Sequence, residues 1–295
     1  MKKLSLIVCA FVMMLSLTGC KDAQANVTNG SDSLVTVDGT KITKNDINDL
    51  LKDSASAPIV MQMVQEEIYK KEGIKLDAKL KKEAKKAVDA MIEKNGGEEK
   101  VMAQLIQYGY TSIEDYMEKS AYPIQMSNAL LEKYANDNAK SLMEAYHPVK
   151  AIIIQTSTKE NADKAIKALE KNEKPSAIAK KYGKPSSVYK GKEDVYFLGG
   201  GLPEQVFSKI AATSKTGVIN EAIIDETARD YYAIKITNLD PNSYKDEAIN
   251  HIIKGAGDLS SKMMKFYLEK YNFTIYDIDV YNAIKSTNEG FIVQD

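Results

Sequence analysis

Histidine, cysteine and tryptophan are scarce in this sequence, and their scarcity excludes several kinds of chemistry. The 295 residues contain two histidines, His147 and His251, two cysteines, Cys9 and Cys20, and no tryptophan. Zinc sites use clustered cysteines and histidines, whereas the two histidines here are far apart in the sequence. Neither histidine is accompanied by the nucleophile motif of a serine hydrolase. We therefore expect no metal site, no cofactor and no Ser-His-Asp catalysis.

An excess of either charge is also missing. The 40 lysines and arginines nearly balance the 41 acidic residues, which leaves a formal net charge of −1. This balance does not fit a nucleic-acid-binding protein, which carries a basic excess. The sequence after residue 19 also has no apolar run long enough to span a bilayer and no internal repeat. We expect globular domains and no nucleic-acid partner.

The first twenty residues have the pattern of a bacterial lipoprotein signal. Two lysines precede an apolar run from Leu4 to Leu17, which is too short to span a bilayer and typical of a signal-peptide core. Leu17-Thr18-Gly19-Cys20 then resembles the lipobox, whose cysteine receives diacylglycerol before cleavage. We expect residues 1–19 to be a signal peptide and residues 20–33 to be a lipidated N-terminus with a flexible tether. An ordinary signal peptide with a chance cysteine is the alternative.

A strand-turn-helix pattern follows the tether. Leu34 to Val37 predicts a short strand, and Asp38-Gly39 is a tight-turn signal. Thr43, with Asp46 three residues later, predicts the start of a helix. This opening resembles the N-terminal segment of the SurA and PrsA chaperones.

Helical periodicity then predicts several helices up to residue 145, including one that starts at Ile59. Thr111 and Glu114 predict a capping box for the last of them, and Pro123 predicts its interruption. More helix is predicted after residue 239. These flanking segments carry the methionines of the mature chain, because residues 146–238 hold none. Methionine side chains adapt to many partners, so the flanks are predicted to form an apolar cradle for unfolded chains.

The stretch from residue 146 to residue 238 predicts the order strand, helix, helix, strand, helix, strand, strand. It opens with the apolar β-branched run Val149 to Gln155, which is typical of a buried strand. This order of elements, and the turn residues that separate them, resemble a parvulin-type peptidyl-prolyl isomerase domain. The segments that carry the resemblance are Lys150–Ile154, Ser176–Tyr182, Leu202–Phe207, Gly217–Asn220 and Tyr231–Ile236.

The same resemblance locates a prolyl site and shows how this chain departs from it. Parvulins place one histidine in the first strand and one in the last strand, facing each other across the prolyl site. Here those positions are Ile153 and Tyr232. The acidic position of the family matches Glu193, or Asp194 in the other register. The resemblance thus implies weak or absent isomerase activity, and the candidate prolyl-pocket residues are Glu193, Leu202, Phe207, Tyr232 and Ile153.

Over the whole chain, the sequence resembles the PrsA-type foldase lipoproteins. The resemblance implies an α+β fold in which residues 34–145 and 239–295 form a discontinuous helical chaperone domain. A parvulin-like domain with a small antiparallel-type sheet, residues 146–238, is inserted between them. The implied protein is anchored to the cell membrane on the extracellular face of a Gram-positive bacterium. Its implied partners are folding secreted proteins, and a homodimer is compatible with this family.

Two other functions stay open at this point. One is a holdase chaperone without enzymatic activity, in which the parvulin-like domain is structural or binds substrate. The other is a solute-binding lipoprotein of a transporter, which predicts two α/β lobes with parallel sheets. The helical flanks argue against this second alternative.

Cys20→Ser tests the lipid anchor. Two or more acyl chains hold a protein at a membrane far more firmly than one, so loss of the acylated cysteine removes the anchor. We expect the variant to be released into the medium or to stay unprocessed in the membrane, as measured by fractionation and by the mass of the N-terminal peptide. Normal processing together with unchanged membrane retention contradicts the prediction.

Overall fold

The computed structural model describes residues 27–294, so the predicted signal peptide, lipobox and Cys20 lie outside the described residues. Within that range, none of the helices has both the length and the apolar character needed to cross a bilayer. The chain divides into two compact units. The first contains the described residues up to Ile68 together with those from Met264 onward, and the second runs from Tyr69 to Met263. The predicted domain boundaries after residues 145 and 238 stay predictions.

The first unit begins with the predicted hairpin. Strand β1 (Ser33–Val37) pairs antiparallel with β2 (Thr40–Thr43). The turn residues Asp38 and Gly39 both have positive φ angles, 45° and 79°. Two-residue hairpin turns of this kind match the right-handed twist of the strands, and Asp-Gly is a preferred sequence for them.

Helix α1 (Lys44–Glu72) starts at the predicted cap. The Thr43 backbone N–H donates to the Asp46 carboxylate at 2.7 Å, and the Asp46 N–H donates to Thr43 Oγ1 at 3.3 Å. The prediction of a separate helix from Ile59 is wrong, because α1 continues through Pro58 as one helix of 29 residues. Proline removes one backbone hydrogen bond, but its fixed φ is compatible with a helix.

The core of the first unit lies between α1 and the C-terminal segment. Ala57 of α1 is buried with Ile275 and Ile284, and Ile284 belongs to α12 (Ile278–Thr287). An ion pair adds to this contact, because Lys52 Nζ lies 2.7 Å from the Asp277 carboxylate at the start of α12. The C-terminal residues of this unit thus pack on α1.

Two helices precede α12 in the chain, and they are α10 (Lys245–Gly255) and α11 (Leu259–Lys270).

The second unit opens with a run of helices. The predicted interruption at Pro123 is confirmed, because a π-helical turn (Met117–Ala121) ends just before it. The predicted cap at Thr111 is wrong by one residue: the Ser112 side chain accepts from the Asp115 N–H at 3.0 Å. Two adjacent hydroxyl residues precede two adjacent acids here, so the sequence offers both registers. The helices are α2 (Ala78–Lys94), α3 (Glu98–Gln107), α4 (Ile113–Tyr116), α5 (Tyr122–Asp137) and α6 (Ala139–Tyr146).

A five-stranded antiparallel sheet follows, with the strand order β4-β3-β7-β5 and with β6 also paired to β7. The predicted α+β fold class with a small antiparallel sheet is confirmed. The strands are β3 (Val149–Thr156), β4 (Lys190–Tyr196), β5 (Gly217–Val218), β6 (Ile223–Asp225) and β7 (Asp230–Asn238). The helices between them are α7 (Lys159–Glu170), α8 (Pro175–Tyr182) and α9 (Glu204–Ala211).

Both faces of this sheet are buried. Ile153 belongs to one core cluster, which contains residues of α9, and Ile154 belongs to another, which contains residues of α7 and α8. Successive residues of a strand point to opposite faces, so the central strand β3 fills both clusters. This explains why its sequence is a continuous apolar run rather than an alternating one.

Candidate prolyl site

Four of the five predicted pocket residues meet on one face of the sheet. Ile153 lies in β3, Tyr232 in β7, Phe207 in α9 and Leu202 just before α9, and all four belong to one core cluster. Their exposed fractions are 0%, 2%, 2% and 7% in that order. Side chains that are buried to this degree pack against one another as in any protein interior. A prolyl ring therefore reaches them only if this core opens.

The fifth predicted residue, Glu193, is not part of this cluster. It is exposed on β4 and pairs with Ile152 of β3. Directly opposed residues of an antiparallel pair share a face, so Glu193 lies on the face opposite to Ile153. Asp194, the other register, pairs with Ala151, whose side chain does belong to the cluster. The pairing therefore favours Asp194 over Glu193 as the acidic residue on this face.

A polar network borders the cluster at the end of the sheet. The Gln155 side-chain amide donates to the Tyr232 hydroxyl at 3.1 Å and to the Asp230 carboxylate at 2.7 Å. Lys184 Nζ also lies 2.7 Å from this carboxylate, whose side chain is 6% exposed. Buried carboxylates are tolerated when they are paired and hydrogen-bonded, as Asp230 is here. We call Gln155, Lys184 and Asp230 the polar rim.

Tyr232, which the resemblance matches to a parvulin histidine, is a buried polar residue of this cluster. Burial raises the pKa of its phenol, and the nearby Asp225 carboxylate raises it further. The phenol therefore stays protonated and neutral at neutral pH. Asp225 is itself satisfied, because it accepts from the Gln205 side-chain amide and from the Thr227 N–H, both at 3.0 Å. These contacts tie α9 to the turn between β6 and β7.

Open space lies beside the rim. The Tyr189 ring packs edge-on to the Tyr232 ring, with centroids 5.9 Å apart. On this side a surface cavity of about 430 Å³ has a basic lining. It is lined by Ser176, Ala179, Lys180, Gly183, Lys184, Pro185, Tyr189 and Lys190, none of which was predicted to be a pocket residue.

The sequence analysis missed the polar rim. Gln155 and Asp230 lie at opposite ends of the chain segment that forms the sheet, and neither belongs to a motif. One signal was available, because Gln155 is a polar residue two positions after Ile153 and thus on the same strand face. A polar residue on a buried face needs a partner, but the sequence does not indicate which residue that is.

Asp230→Ala tests whether the rim stabilises the sheet. The substitution removes the acceptor of the Lys184 ammonium and one of the two acceptors of the Gln155 amide, so we expect the free energy of unfolding to fall by about 1–3 kcal/mol. Asp163→Ala is the matched control, because it breaks an exposed pair with Lys159, and such pairs contribute about 0–1 kcal/mol. Urea denaturation of the full chain measures both. Equal losses in the two variants contradict a stabilising role of the rim.

Comparison with known proteins supports the predicted resemblance. No protein-family model matches the chain. It is 28% identical over 252 residues to the foldase protein PrsA of Bacillus subtilis, covering 80% of this chain and 76% of that protein. It is 24% identical over 283 residues to the foldase protein PrsA 2 of Bacillus cereus, covering 93% of each. The crystal structure of the foldase protein PrsA from Streptococcus pneumoniae aligns at 20% identity and a TM-score of 0.47, covering 85% of this chain and 98% of that one. The predicted recognition is thus confirmed, and the chain is a homologue of the PrsA-type foldases.

Proposed function

We propose that this chain is a membrane-anchored foldase that helps exported proteins to fold after translocation. The observation that carries the proposal is its similarity to PrsA foldases over most of both chains. The lipobox that ends at Cys20 supports an anchor on the extracellular face, because the modified cysteine becomes the N-terminus of the mature protein. The partners are unfolded or partly folded secreted proteins.

The parvulin-like region contributes little isomerase activity in this proposal. Catalysis of the X–Pro rotation requires groups that bind the twisted bond more tightly than the planar one. Ile153 offers no polar atom for this purpose, and Tyr232 offers a single hydroxyl that already accepts from Gln155. Leu202 and Phe207 supply apolar surface, but they are buried in the same cluster. A structural role therefore fits these side chains better than a catalytic one.

Client binding is proposed to use the apolar surface of the first unit. Large exposed apolar patches mark interaction sites, and unfolded chains present apolar segments of their own. Hairpin β1–β2 and helix α1 carry many exposed apolar side chains within thirty positions of the chain, two of them more than 60% exposed. We call this set the apolar surface; it consists of Leu34, Val35, Val37, Ile42, Ile47, Leu50, Leu51, Ile59 and Met63.

This surface replaces part of the methionine cradle that the sequence predicts. Met263 and Met264 are 2% and 8% exposed, and Tyr267 is 1% exposed, so these side chains are packed and do not offer a binding surface. Met63 is 65% exposed and keeps its predicted role. Buried methionine fills helix cores as readily as it forms adaptable surfaces, and composition does not separate the two.

Of the alternatives, the holdase without isomerase activity is favoured by the closed cluster around Ile153.

The apolar surface of the first unit also suits a second copy of the chain, so a homodimer that enlarges the surface remains part of the proposal. A solute-binding lipoprotein predicts parallel sheets, whereas every strand pair among the described residues is antiparallel.

Charge substitutions in the apolar surface test the proposal. Val37→Glu with Met63→Glu places two carboxylates on side chains that are 62% and 65% exposed, so the fold is unaffected while the surface becomes polar. We expect the doubly substituted full chain to lose most of its ability to suppress aggregation of a refolding secreted enzyme, as measured by light scattering.

Two exposed apolar residues of the second unit provide the matched control. Val188 and Ile106 are 82% and 61% exposed, so Val188→Glu with Ile106→Glu makes the same chemical change elsewhere. The control is expected to suppress aggregation as the parent does. Circular dichroism establishes that both variants are folded. If the Val37/Met63 variant still protects the client fully, or if only the control variant loses protection, the proposed client surface is wrong.

A further inference from the structure

Three side chains with metal-ligand atoms meet at the edge of the sheet, and one of them, Asp194, is the acidic residue that the strand pairing places on the face of the candidate prolyl site. Asp194 lies on the edge strand β4, and Glu247 and His251 lie on α10. Their ligand atoms all lie within 4.8 Å of one another, and His251 Nε2 is 3.2 Å from Asp194 Oδ1. Glu247 and His251 are four residues apart, so they share one face of the helix.

Packing holds the two elements that carry these side chains. Val195, the neighbour of Asp194, is buried against Tyr244 and Ala248 at the start of α10. The Tyr244 hydroxyl donates to the Pro148 carbonyl at 2.9 Å, just before β3. The backbone positions of the three side chains are therefore fixed by a buried contact and a buried hydrogen bond. Such support is what keeps ligands in place for a metal ion.

One of the distances among the three ligand atoms suits a shared cation. Two ligand atoms that each bind Zn²⁺ at about 2.0–2.2 Å lie roughly 3.0–3.5 Å apart in tetrahedral or octahedral geometry. The 3.2 Å between His251 and Asp194 falls in this range. The side chains of both residues are 36% exposed and that of Glu247 is 44% exposed, so solvent reaches the site and water can complete the coordination.

A lysine ammonium supplies the positive charge at this site. Lys150 Nζ lies 2.6 Å from the Glu247 carboxylate and 5.1 Å from the centroid of the Tyr244 ring. The two carboxylates of Asp194 and Glu247 carry more negative charge than this one ammonium balances, so the cluster can hold a second cation. A metal ion at this site competes with Lys150 for Glu247.

We propose that Asp194, Glu247 and His251 form a binding site for a divalent transition-metal ion of the Zn²⁺ type. One imidazole and two carboxylates suit Zn²⁺ better than Mg²⁺, which prefers oxygen ligands alone. The bound ion links the edge strand of the parvulin-like sheet to the helix that follows it. Because both elements belong to the second unit, the ion stabilises that unit. The inference does not depend on the proposed foldase function.

Zn²⁺ titration of the full chain tests the site. The chain is used with Cys9→Ser and Cys20→Ser, so that no thiol binds the metal, and isothermal calorimetry measures the dissociation constant. We expect one Zn²⁺ per chain and a higher melting temperature in Zn²⁺, with neither effect in Mg²⁺. His251→Gln is expected to weaken Zn²⁺ binding by about tenfold or more.

Two further substitutions are compared with His251→Gln. His147→Gln removes the other histidine, which is exposed and lies before β3, and it is expected to leave Zn²⁺ affinity unchanged. Lys150→Met removes the competing ammonium but keeps an apolar stem beside Tyr244, and it is expected to tighten binding. In NMR spectra, the ring signals of His251 are expected to shift with Zn²⁺ while those of His147 do not.

Several results contradict the proposed Zn²⁺ site. Absence of saturable Zn²⁺ binding, or equal affinity in the His251→Gln and His147→Gln chains, overturns the proposal. Asp194→Asn serves as the second ligand variant if His251→Gln does not fold, because the amide retains the shape of the side chain. Unchanged affinity in Asp194→Asn also overturns the proposal.

Discussion

The pairing of β3 with β7 is the constraint on which the parvulin-like part of this structure depends. Ile153 faces Ile234 and Gln155 faces Tyr232 across these two strands, and both faces of the pair are covered by helices. This register brings Ile153 and Tyr232 into one buried cluster, at the positions that the resemblance matches to the two parvulin histidines. Packed side chains fill this part of the sheet face.

The burial of Ile153 and Tyr232 stabilises the fold but does not favour prolyl isomerisation. A fully buried isoleucine contributes about 1.5–3 kcal/mol through the apolar surface that it removes from water. An isomerase site, by contrast, needs a cleft that admits the prolyl ring and polar groups that face it. The polar side chains lie at the rim, where Asp230 is held by Lys184 and Gln155. The face of the sheet where the resemblance predicts a prolyl site is therefore part of the core. The proposed region for client proteins is the first unit, with its exposed apolar hairpin and helix.

Local signals in the sequence predicted much of this architecture. The hairpin turn at Asp38-Gly39, the cap at Thr43 and the buried strand from Val149 all depend on neighbours within a few residues, and all are present. The sequence left the acidic position open between Glu193 and Asp194, and the pairing of β3 with β4 is irregular beside these residues, between Ile152 and Ile154. Strand irregularities of this kind leave no clear mark in the sequence.

Features that depend on distant residues were missed for a single reason. The Asp230–Gln155 contact and the meeting of His251 with Asp194 both join residues that are far apart in the chain. Sequence patterns report periodicity and local caps, whereas such pairs arise only after strands and helices have packed. The expectation of no metal site followed from the distance between the two histidines. A ligand set of one histidine and two carboxylates on different elements has no such signal in the sequence.

We propose that the packing around Ile153 and Tyr232 closes the candidate prolyl site. Turnover of a proline-containing tetrapeptide by the full chain, measured in a protease-coupled isomerisation assay, tests it most directly. The account predicts a rate that is indistinguishable from the uncatalysed reaction, or only weakly above it. A rate within about tenfold of a typical parvulin, which is a difference of only about 1.4 kcal/mol in barrier height, contradicts the account if Phe207→Ala abolishes that rate.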